Sequence, residues 1–391
     1  MGKDLRELRQ RLDAIDEKLI QTLAEREALS QDVARIKVGG KHALRDRARE
    51  EEILTALVER AKSAGLDTTF ITRLYHEIFD HSVRLQQDLL THGSAVRDIS
   101  QPPAVVGFKG SEGSYTHMAA TRHFGVRGNT VAFEGYVTSD EVVAAVLTGA
   151  VDYAVLPLEN TSAGSFSDTY ALLEAGDLKI VGEELQRLDH CLITLDQIPL
   201  NRVRRIYSPP PAFEHCKRFL RSLKHARLEV YPDTALAAQR VRDDDDLSQA
   251  AIASEEAANL HGLCVLKRDI SDLPNLYTRM VVVAREPIHV DPGVPSKTSL
   301  VFTTQHTRGA LSQCLAVLAA HDCNLTKIRS RPRPETPWHY MFYVEFEGNV
   351  DAPDIQVALT EMADYTESLK VLGSYPARAM LEGHPAAPRR A

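Results

Sequence analysis

The sequence predicts a multidomain protein with three successive folds: an all-α three-helix segment, a bilobal α/β segment and a smaller α+β segment. Three observations carry this. Lys3 to Val38 contains neither Gly nor Pro and repeats its apolar residues at helical spacing. From Val105 onward short apolar runs alternate with helical stretches, the pattern of an α/β domain. Beyond Pro287, Pro292 and Pro295 the order becomes strand, helix, strand, strand, helix, strand.

Helix one follows Leu8, Leu12, Ile15, Leu19, Leu29, Val33 and Ile36 in alternating three- and four-residue steps, with Thr22 and Arg26 in the seam between them. At about 1.5 Å per residue it is roughly 54 Å long, which predicts packing along a second copy of itself. Gly39-Gly40 ends it. A second helix is expected from about Asp46 to Ser63, with Gly65 as its stop and Asp67 as the N-cap of a third that reaches roughly Leu90. Thr91 to Pro103, with Gly93, Ser94, Ser100 and paired prolines, reads as a linker and sets a domain boundary near residue 100. Strands follow at Val105 to Phe108, Tyr153 to Leu156, Leu192 to Leu195, Ala250 to Ala253 and Met280 to Ala284, and the acidic run Asp243 to Asp246 is a solvated loop.

The last segment gives strands at Ser299 to Thr304, Asn324 to Arg331, His339 to Glu347 and Lys370 to Tyr375, with helices at Gly309 to His321 and Pro353 to Thr366. That is the ferredoxin-like βαββαβ order. The expected domains are 1–92, 104–285 and 297–376, followed by a tail, 377–391, expected to be disordered.

The 391 residues carry a net charge of −8, with 46 Lys and Arg against 54 Asp and Glu. This argues against nucleic acid and anionic membranes as partners, and leaves small acidic ligands as what clustered arginines hold. Cysteines 191, 216, 264, 314 and 323 are odd in number and never in CxxC spacing, so they read as reduced structural thiols without a metal site. A densely charged start, Met1 to Arg11, and the lack of any apolar run of membrane length predict a cytoplasmic protein.

Polar residues gather beside the helical faces. Arg26 and Lys37 are eleven residues apart, so they share a face about 16 Å apart, a gap that two long side chains close around a small anion. Arg9 lies roughly 25 Å from Arg26 and about 100° around the axis, so it joins that pocket only from a partner subunit. Asp46, Arg49 and Glu50 cluster at the start of helix two, while Ser82 and Gln86 sit at i and i+4 on helix three. Ser82 and Gln86 also read as a solvated stripe, and Asp46 as a helix cap.

With this polar set, residues 4–90 closely resemble the all-helical chorismate mutases. The resemblance implies that the partner subunit's Arg9, together with Arg26 and Arg49, holds substrate carboxylates or neighbouring polar groups. It further implies that Glu50 and Asp46 address the ring hydroxyl, that Ser82 lines the substrate site, and that Lys37 and Gln86 contact the ether oxygen. Chorismate becomes prephenate by a pericyclic shift, so no nucleophile or cofactor is required. Catalysis comes from holding the compact conformer and stabilising charge on the ether oxygen.

In the α/β segment, Leu156-Pro157-Leu158-Glu159-Asn160-Thr161-Ser162-Ala163-Gly164 leaves a strand for a polar, glycine-terminated turn. Gly110-Ser111-Glu112-Gly113-Ser114-Tyr115-Thr116 follows the first strand and leads into a helix, offering N–H groups and hydroxyls to an anion. Thr278-Arg279 precedes the last strand, and Tyr207-Ser208 follows another. Glu159 and Asn160 also read as turn chemistry, and Ser208 as a loop start before Pro209.

Together, residues 104–285 resemble prephenate dehydratases, and the three-part order resembles the bifunctional bacterial enzymes of phenylalanine synthesis. The resemblance implies that prephenate loses its ring hydroxyl and carboxylate together, giving phenylpyruvate, CO₂ and water without a cofactor. A departing hydroxyl needs protonation or a strong hydrogen bond, whereas the carboxylate is better destabilised than clamped by a cation. Thr278 is the candidate donor to that hydroxyl. Asn160, Glu159 and Ser208 carry over as positioning groups, Ser114, Tyr115, Thr161 and Ser162 as substrate contacts, and Arg279 as the holder of the pyruvyl carboxylate. The sequence departs from the family at His215, where glutamine is common, at Ser111, where proline is common, and at Met280, where phenylalanine is common. His215 either donates one hydrogen bond as glutamine does or becomes charged near neutral pH; a satisfied helix-surface histidine is the competing reading.

Residues 297–376 resemble the small-molecule-sensing ACT domains. Gly309-Ala310-Leu311 and Ser330-Arg331-Pro332 match the two stretches that surround bound phenylalanine. This implies feedback inhibition by L-phenylalanine held between modules of two subunits, and a homodimer or higher homo-oligomer. Ser312 stands where valine is common and Arg329 where glutamate is common, and a module that only packs and dimerises, with Gly309 starting a helix, is the alternative. Two other classes compete for the whole chain: a protein that binds an anion without chemistry, and an active mutase with an impaired dehydratase acting mainly as a phenylalanine-sensing regulator. His215 discriminates, because damage to the dehydratase site shows there first.

Overall fold

The computed structural model describes residues 5–37, 46–92, 103–125, 131–292, 294–305, 307–333 and 339–378. Gly39-Gly40, most of the first linker and all but the start of the tail lie outside them. The chain forms two compact units, one of Met1–Asp98 with His289–Pro295, the other of Ile99–Ile288 with Ser296–Ala391.

The first unit holds α1 (Leu5–Lys37), α2 (Arg47–Ser63) and α3 (Thr68–His92). Asp46 caps α2 by accepting the Arg49 N–H at 3.0 Å, and Asp67 accepts the Thr69 N–H at 2.8 Å, each satisfying a donor that helix geometry leaves unpaired. Between them Gly65 adopts φ +71°, the left-handed turn that lets α2 stop. The third helix packs against both others. The apolar seam of α1 does not join this core: Leu12, Ile15, Leu19, Leu29 and Ile36 are 53–78 % exposed.

The second unit begins with a lobe built on β1 (Ala104–Lys109), α4 (Tyr115–Phe124), β2 (Val131–Tyr136), α5 (Ser139–Thr148), β3 (Tyr153–Asn160), β4 (Gly164–Ser165), α6 (Ser167–Ala175) and β5 (Lys179–Arg187). The chain then crosses into a second lobe of β6 (Cys191–Thr194), β7 (Arg205–Ser208), α7 (Pro210–His215), α8 (Lys217–Ser222), β8 (Arg227–Val230), α9 (Thr234–Asp244), β9 (Gln249–Ala253), α10 (Glu255–His261) and β10 (Cys264–Lys267). It returns to the first lobe as β11 (Tyr277–Ala284), giving sheet orders β2-β1-β3-β11-β5 and β10-β6-β9-β7-β8. β1, β2 and β3 run parallel, while β11 is antiparallel to both its neighbours. Two of the expected boundaries move. The β3 strand continues through Glu159 and Asn160 before it turns, and Thr278-Arg279 lies inside β11 rather than ahead of it.

The remaining elements are β12 (Ser296–Thr304), α11 (Ala310–Ala320), β13 (Leu325–Pro332), β14 (Tyr340–Glu347), α12 (Pro353–Ala363) and β15 (Thr366–Pro376), in the expected order. They form an antiparallel sheet, β13-β14-β12-β15. Because strand side chains alternate, this sheet has two apolar faces with different tasks. Leu300, Phe302, Val344 and Phe346 form a core with Cys314, Leu318, Ile355 and Met362 of α11 and its neighbours. Val301, Met341, Tyr343, Leu372 and Tyr375 join Leu156, Leu173 and Ile180 in the core of the first lobe. At Gly373 a Cβ would lie 2.1 Å from the Ile180 carbonyl oxygen, so β15 reaches the β5 backbone only through a residue without a side chain.

Candidate active sites

In the helical unit Arg26 of α1 is half-buried, and its Nη1 donates to the Ser82 hydroxyl of α3 at 2.5 Å. The guanidinium also lies 5.8 Å from the centre of the Phe79 ring, a cation–π contact that eases its partial burial. Ser82 and Gln86 are 8 % and 7 % exposed, so the i, i+4 pair points inward and is not a solvated stripe. A pocket of about 390 Å³ is lined by Leu23, Arg26, Glu27, Ile78, Ser82 and Leu85. Arg49 instead faces solvent and pairs with Glu52 at 2.6 Å, Glu50 is half-buried, and Arg9 is exposed. Lys37 is the last residue of α1; its side chain lies outside the described residues.

In the bilobal region the strand pleat sorts the expected residues onto two faces. Asn160 and Thr278 are cross-strand partners in β3 and β11, and so are Glu159 and Arg279. Since consecutive residues of a strand point to opposite faces, the pairs Asn160/Thr278 and Glu159/Arg279 face apart. On the first face Asn160 Oδ1 accepts the backbone N–H groups of Ser162 and Ala163 at 2.8 and 2.9 Å. The amide NH₂ must then face the other way, and Nδ2 donates to Thr278 Oγ1 at 3.0 Å. Among the described residues nothing accepts the Thr278 hydroxyl proton, so a buried O–H donor is held in a fixed position.

The opposite face is an ion-pair cluster. The Arg279 guanidinium is 7 % exposed and donates to Glu183 at 2.7 Å, to Glu159 at 3.1 Å, to Glu345 at 2.7 Å and to the Tyr375 hydroxyl at 3.1 Å, using four of its five N–H donors. Glu159 also pairs with Lys327 of β13, and Glu183 with Lys297 of β12 at 2.9 Å. Burial pushes the Glu159 and Glu183 carboxyls up, but the surrounding cations outweigh it and hold both below the usual carboxylate range. This corrects two expectations. Arg279 is engaged by protein carboxylates where a substrate carboxylate was expected, and Glu159 anchors the C-terminal sheet instead of joining Asn160, because the pleat turns both away from Thr278.

Other hydroxyls expected at substrate are also committed. Ser208 ends β7 and donates to the Ile252 carbonyl at 2.8 Å, Ser114 caps α4 by accepting the His117 N–H at 3.2 Å, and Tyr115 meets His190 Nδ1 at 3.0 Å. Thr161 accepts the Tyr277 N–H at 3.0 Å and donates to the Asn275 carbonyl, pinning the turn to β11, while Ser162 is exposed. Ser111, at a position where proline is common, donates to Asp233 of the second lobe at 3.0 Å. Met280 is a core residue packed with Phe108 and Val282. Asp233 and His190 were not singled out from the sequence; Asp233 is legible only as the N-cap of α9, and His190 carries no signal.

His215 is not a surface histidine. It is 8 % exposed at the end of α7, and its ring stacks on His190 with Nδ1 3.2 Å from His190 Nε2. Burial pushes its pKa down, against Glu214 and Asp272, so it does not charge near neutral pH. Burial and the neighbouring His215 lower His190 to about 3. An unfolded histidine binds a proton below its ordinary pKa while folded His190 refuses one, so stability falls as pH drops from about 6.5 toward 3. Moving from pH 7 to pH 5 is expected to remove roughly 2 kcal/mol through this residue. Urea midpoints at the two pH values in the parent protein and His190→Gln test this; the variant should lose less on acidification.

Residues 106–288 match the family model of prephenate dehydratase, and residues 8–87 that of chorismate mutase type II. The bifunctional chorismate mutase/prephenate dehydratase of Escherichia coli K12 is 36 % identical over 97 % of this chain and 97 % of its own length. The chain belongs to the bifunctional chorismate mutase/prephenate dehydratases. Among solved structures, prephenate dehydratase from Arthrobacter aurescens in complex with L-Phe is 27 % identical, covers 73 % of this chain and 93 % of its own, and superposes with TM-score 0.65. GqqA, described as a quorum-quenching acylase, is 33 % identical with TM-score 0.63 over 70 % of this chain and 98 % of its own. As a bifunctional mutase/dehydratase, the chain has chorismate and prephenate as its substrates. Among the described residues no helix is long and apolar enough to cross a membrane.

Proposed function

We propose that Thr278 is the hydrogen-bond donor to the departing ring hydroxyl of prephenate, and that Asn160 orients it. The observation that carries this is the fixed Asn160 amide: its oxygen is occupied by two backbone N–H groups, so Thr278 receives a hydrogen bond and keeps its own proton for substrate. The helical unit works on chorismate through Arg26, Ser82, Lys37 and Gln86, with Arg49, Asp46 and Glu50 nearby. The partner subunit's Arg9 completes this site across a homodimer, which the exposed α1 seam supports.

The domains of this reading are 1–92, 104–285 and 297–376, and its location is cytoplasmic. The last domain is a ferredoxin-like ACT module that binds L-phenylalanine and restrains phenylpyruvate formation; the L-Phe complex of the Arthrobacter dehydratase supports this. Gly309, Ala310 and Leu311 start α11, while Ser330, Arg331 and Pro332 end the edge strand β13, with Ser330 and Pro332 exposed and Arg331 on the Ser167 carbonyl.

Supplying chorismate to the purified chain and resolving products over time tests the reading. Prephenate should appear first and phenylpyruvate after it, and added L-phenylalanine should make prephenate accumulate. Prephenate without phenylpyruvate in the absence of phenylalanine favours the regulator with an impaired dehydratase. Indifference to phenylalanine removes the regulatory part.

A further inference from the structure

Tyr115, His190 and His215 form one hydrogen-bonded chain through the bilobal region. Tyr115 opens α4 in the first lobe, His190 lies in the crossing segment just before β6, and His215 ends α7 in the second lobe. The phenol is 3.0 Å from His190 Nδ1, and His190 Nε2 is 3.2 Å from His215 Nδ1. His215 Nε2 is buried and has no hydrogen-bond partner among the described residues. The chain runs beside the strand end that carries Thr278: Tyr115 packs with Leu188 and Leu276, and the Leu188 N–H donates to the Leu276 carbonyl at 2.8 Å.

Two arrangements of protons fit these distances. If His190 donates to the phenol, His215 Nδ1–H donates to His190, and both the phenol proton and the His215 Nε2 lone pair are left without partners. If the phenol donates, His190 Nε2–H donates to His215 Nδ1, and only His215 Nε2–H is left over. The second arrangement strands one group instead of two, and it leaves His215 as a neutral N–H donor. A neutral donor can hold a substrate oxygen without clamping, as a cation would, the carboxylate that must leave.

We propose that His215 Nε2–H donates to an oxygen of the bound dicarboxylate substrate, and that Tyr115 and His190 are positioning residues that set this tautomer. This rests on the dehydratase reading of the domain. Tyr115→Phe keeps the ring packing and removes the proton that fixes the chain. Glutamine has no tautomer to set, so His215→Gln breaks the dependence.

The full-length chain carrying ¹⁵N-histidine should show His215 protonated at Nε2, a mixed tautomer in Tyr115→Phe, and a shifted Nε2 signal when prephenate is added. In steady-state assays Tyr115→Phe should lower dehydratase kcat/KM about tenfold in the parent and less than twofold in the His215→Gln background, with mutase activity unchanged in both. An Nδ1-protonated His215, no response to prephenate, or an equal loss in both backgrounds would overturn the proposal. A parent chain that makes no phenylpyruvate yet passes the tautomer and binding measurements fails the dehydratase reading alone.

Discussion

Thr278→Ala is expected to lower phenylpyruvate formation by about 10²- to 10³-fold, the range for losing a positioned hydrogen-bond donor, while chorismate is consumed at the parent rate. The alanine removes only the hydroxyl that Asn160 orients, and Asn160 keeps its own bonds to the turn. The strand should therefore survive, and the effect should fall on kcat more than on KM, because the hydrogen bond to the leaving hydroxyl strengthens only as the ring carbon–oxygen bond breaks. Prephenate supplied directly gives the cleanest readout. A variant within threefold of the parent would remove Thr278 from the chemistry. Thr278→Ser, which restores the donor, should recover most of the rate.

Lys37→Ala is expected to abolish mutase turnover, a loss of about 10²- to 10³-fold or more, while prephenate supplied from outside is dehydrated normally. A pericyclic rearrangement offers the protein little to do except hold a conformer and meet the developing charge. A cation at the ether oxygen, the role proposed for Lys37, is therefore expected to carry a large share of the effect. The two activities should separate because the helices and the dehydratase lobes belong to different compact units. Retained mutase activity would sink the assignment.

The helices were legible because their signals are local: a 33-residue stretch without Gly or Pro, Asp46 and Asp67 at the caps, and Gly65 at the stop. Strands β6 and β9 were legible as apolar runs. Strand β5 was not, because Lys179–Arg187 carries Glu183 and Glu184, which are buried at 1 % and 4 % exposure and read as surface residues until their cationic partners are known. β8 and β10 are short edge strands whose alternation is too brief to stand out. Within the site, sequence placed Glu159, Asn160, Thr278 and Arg279 together, and register does so too. What no motif revealed is that the pleat divides them, or that His190, from the segment between lobes, lies beside His215.

The cluster around Arg279 draws on β3, β5 and β11 of the first lobe and on β12, β13, β14 and β15 of the C-terminal sheet. Taking the charged partners on one side away would leave carboxylates or a guanidinium buried and uncompensated, at a cost of about 3–5 kcal/mol for a broken pair. Gly373 adds a steric condition to the electrostatic one. The C-terminal sheet is thus not a cartridge that recombination can exchange among unrelated enzymes. It and the dehydratase lobes constrain one another's residues and must be inherited as a pair.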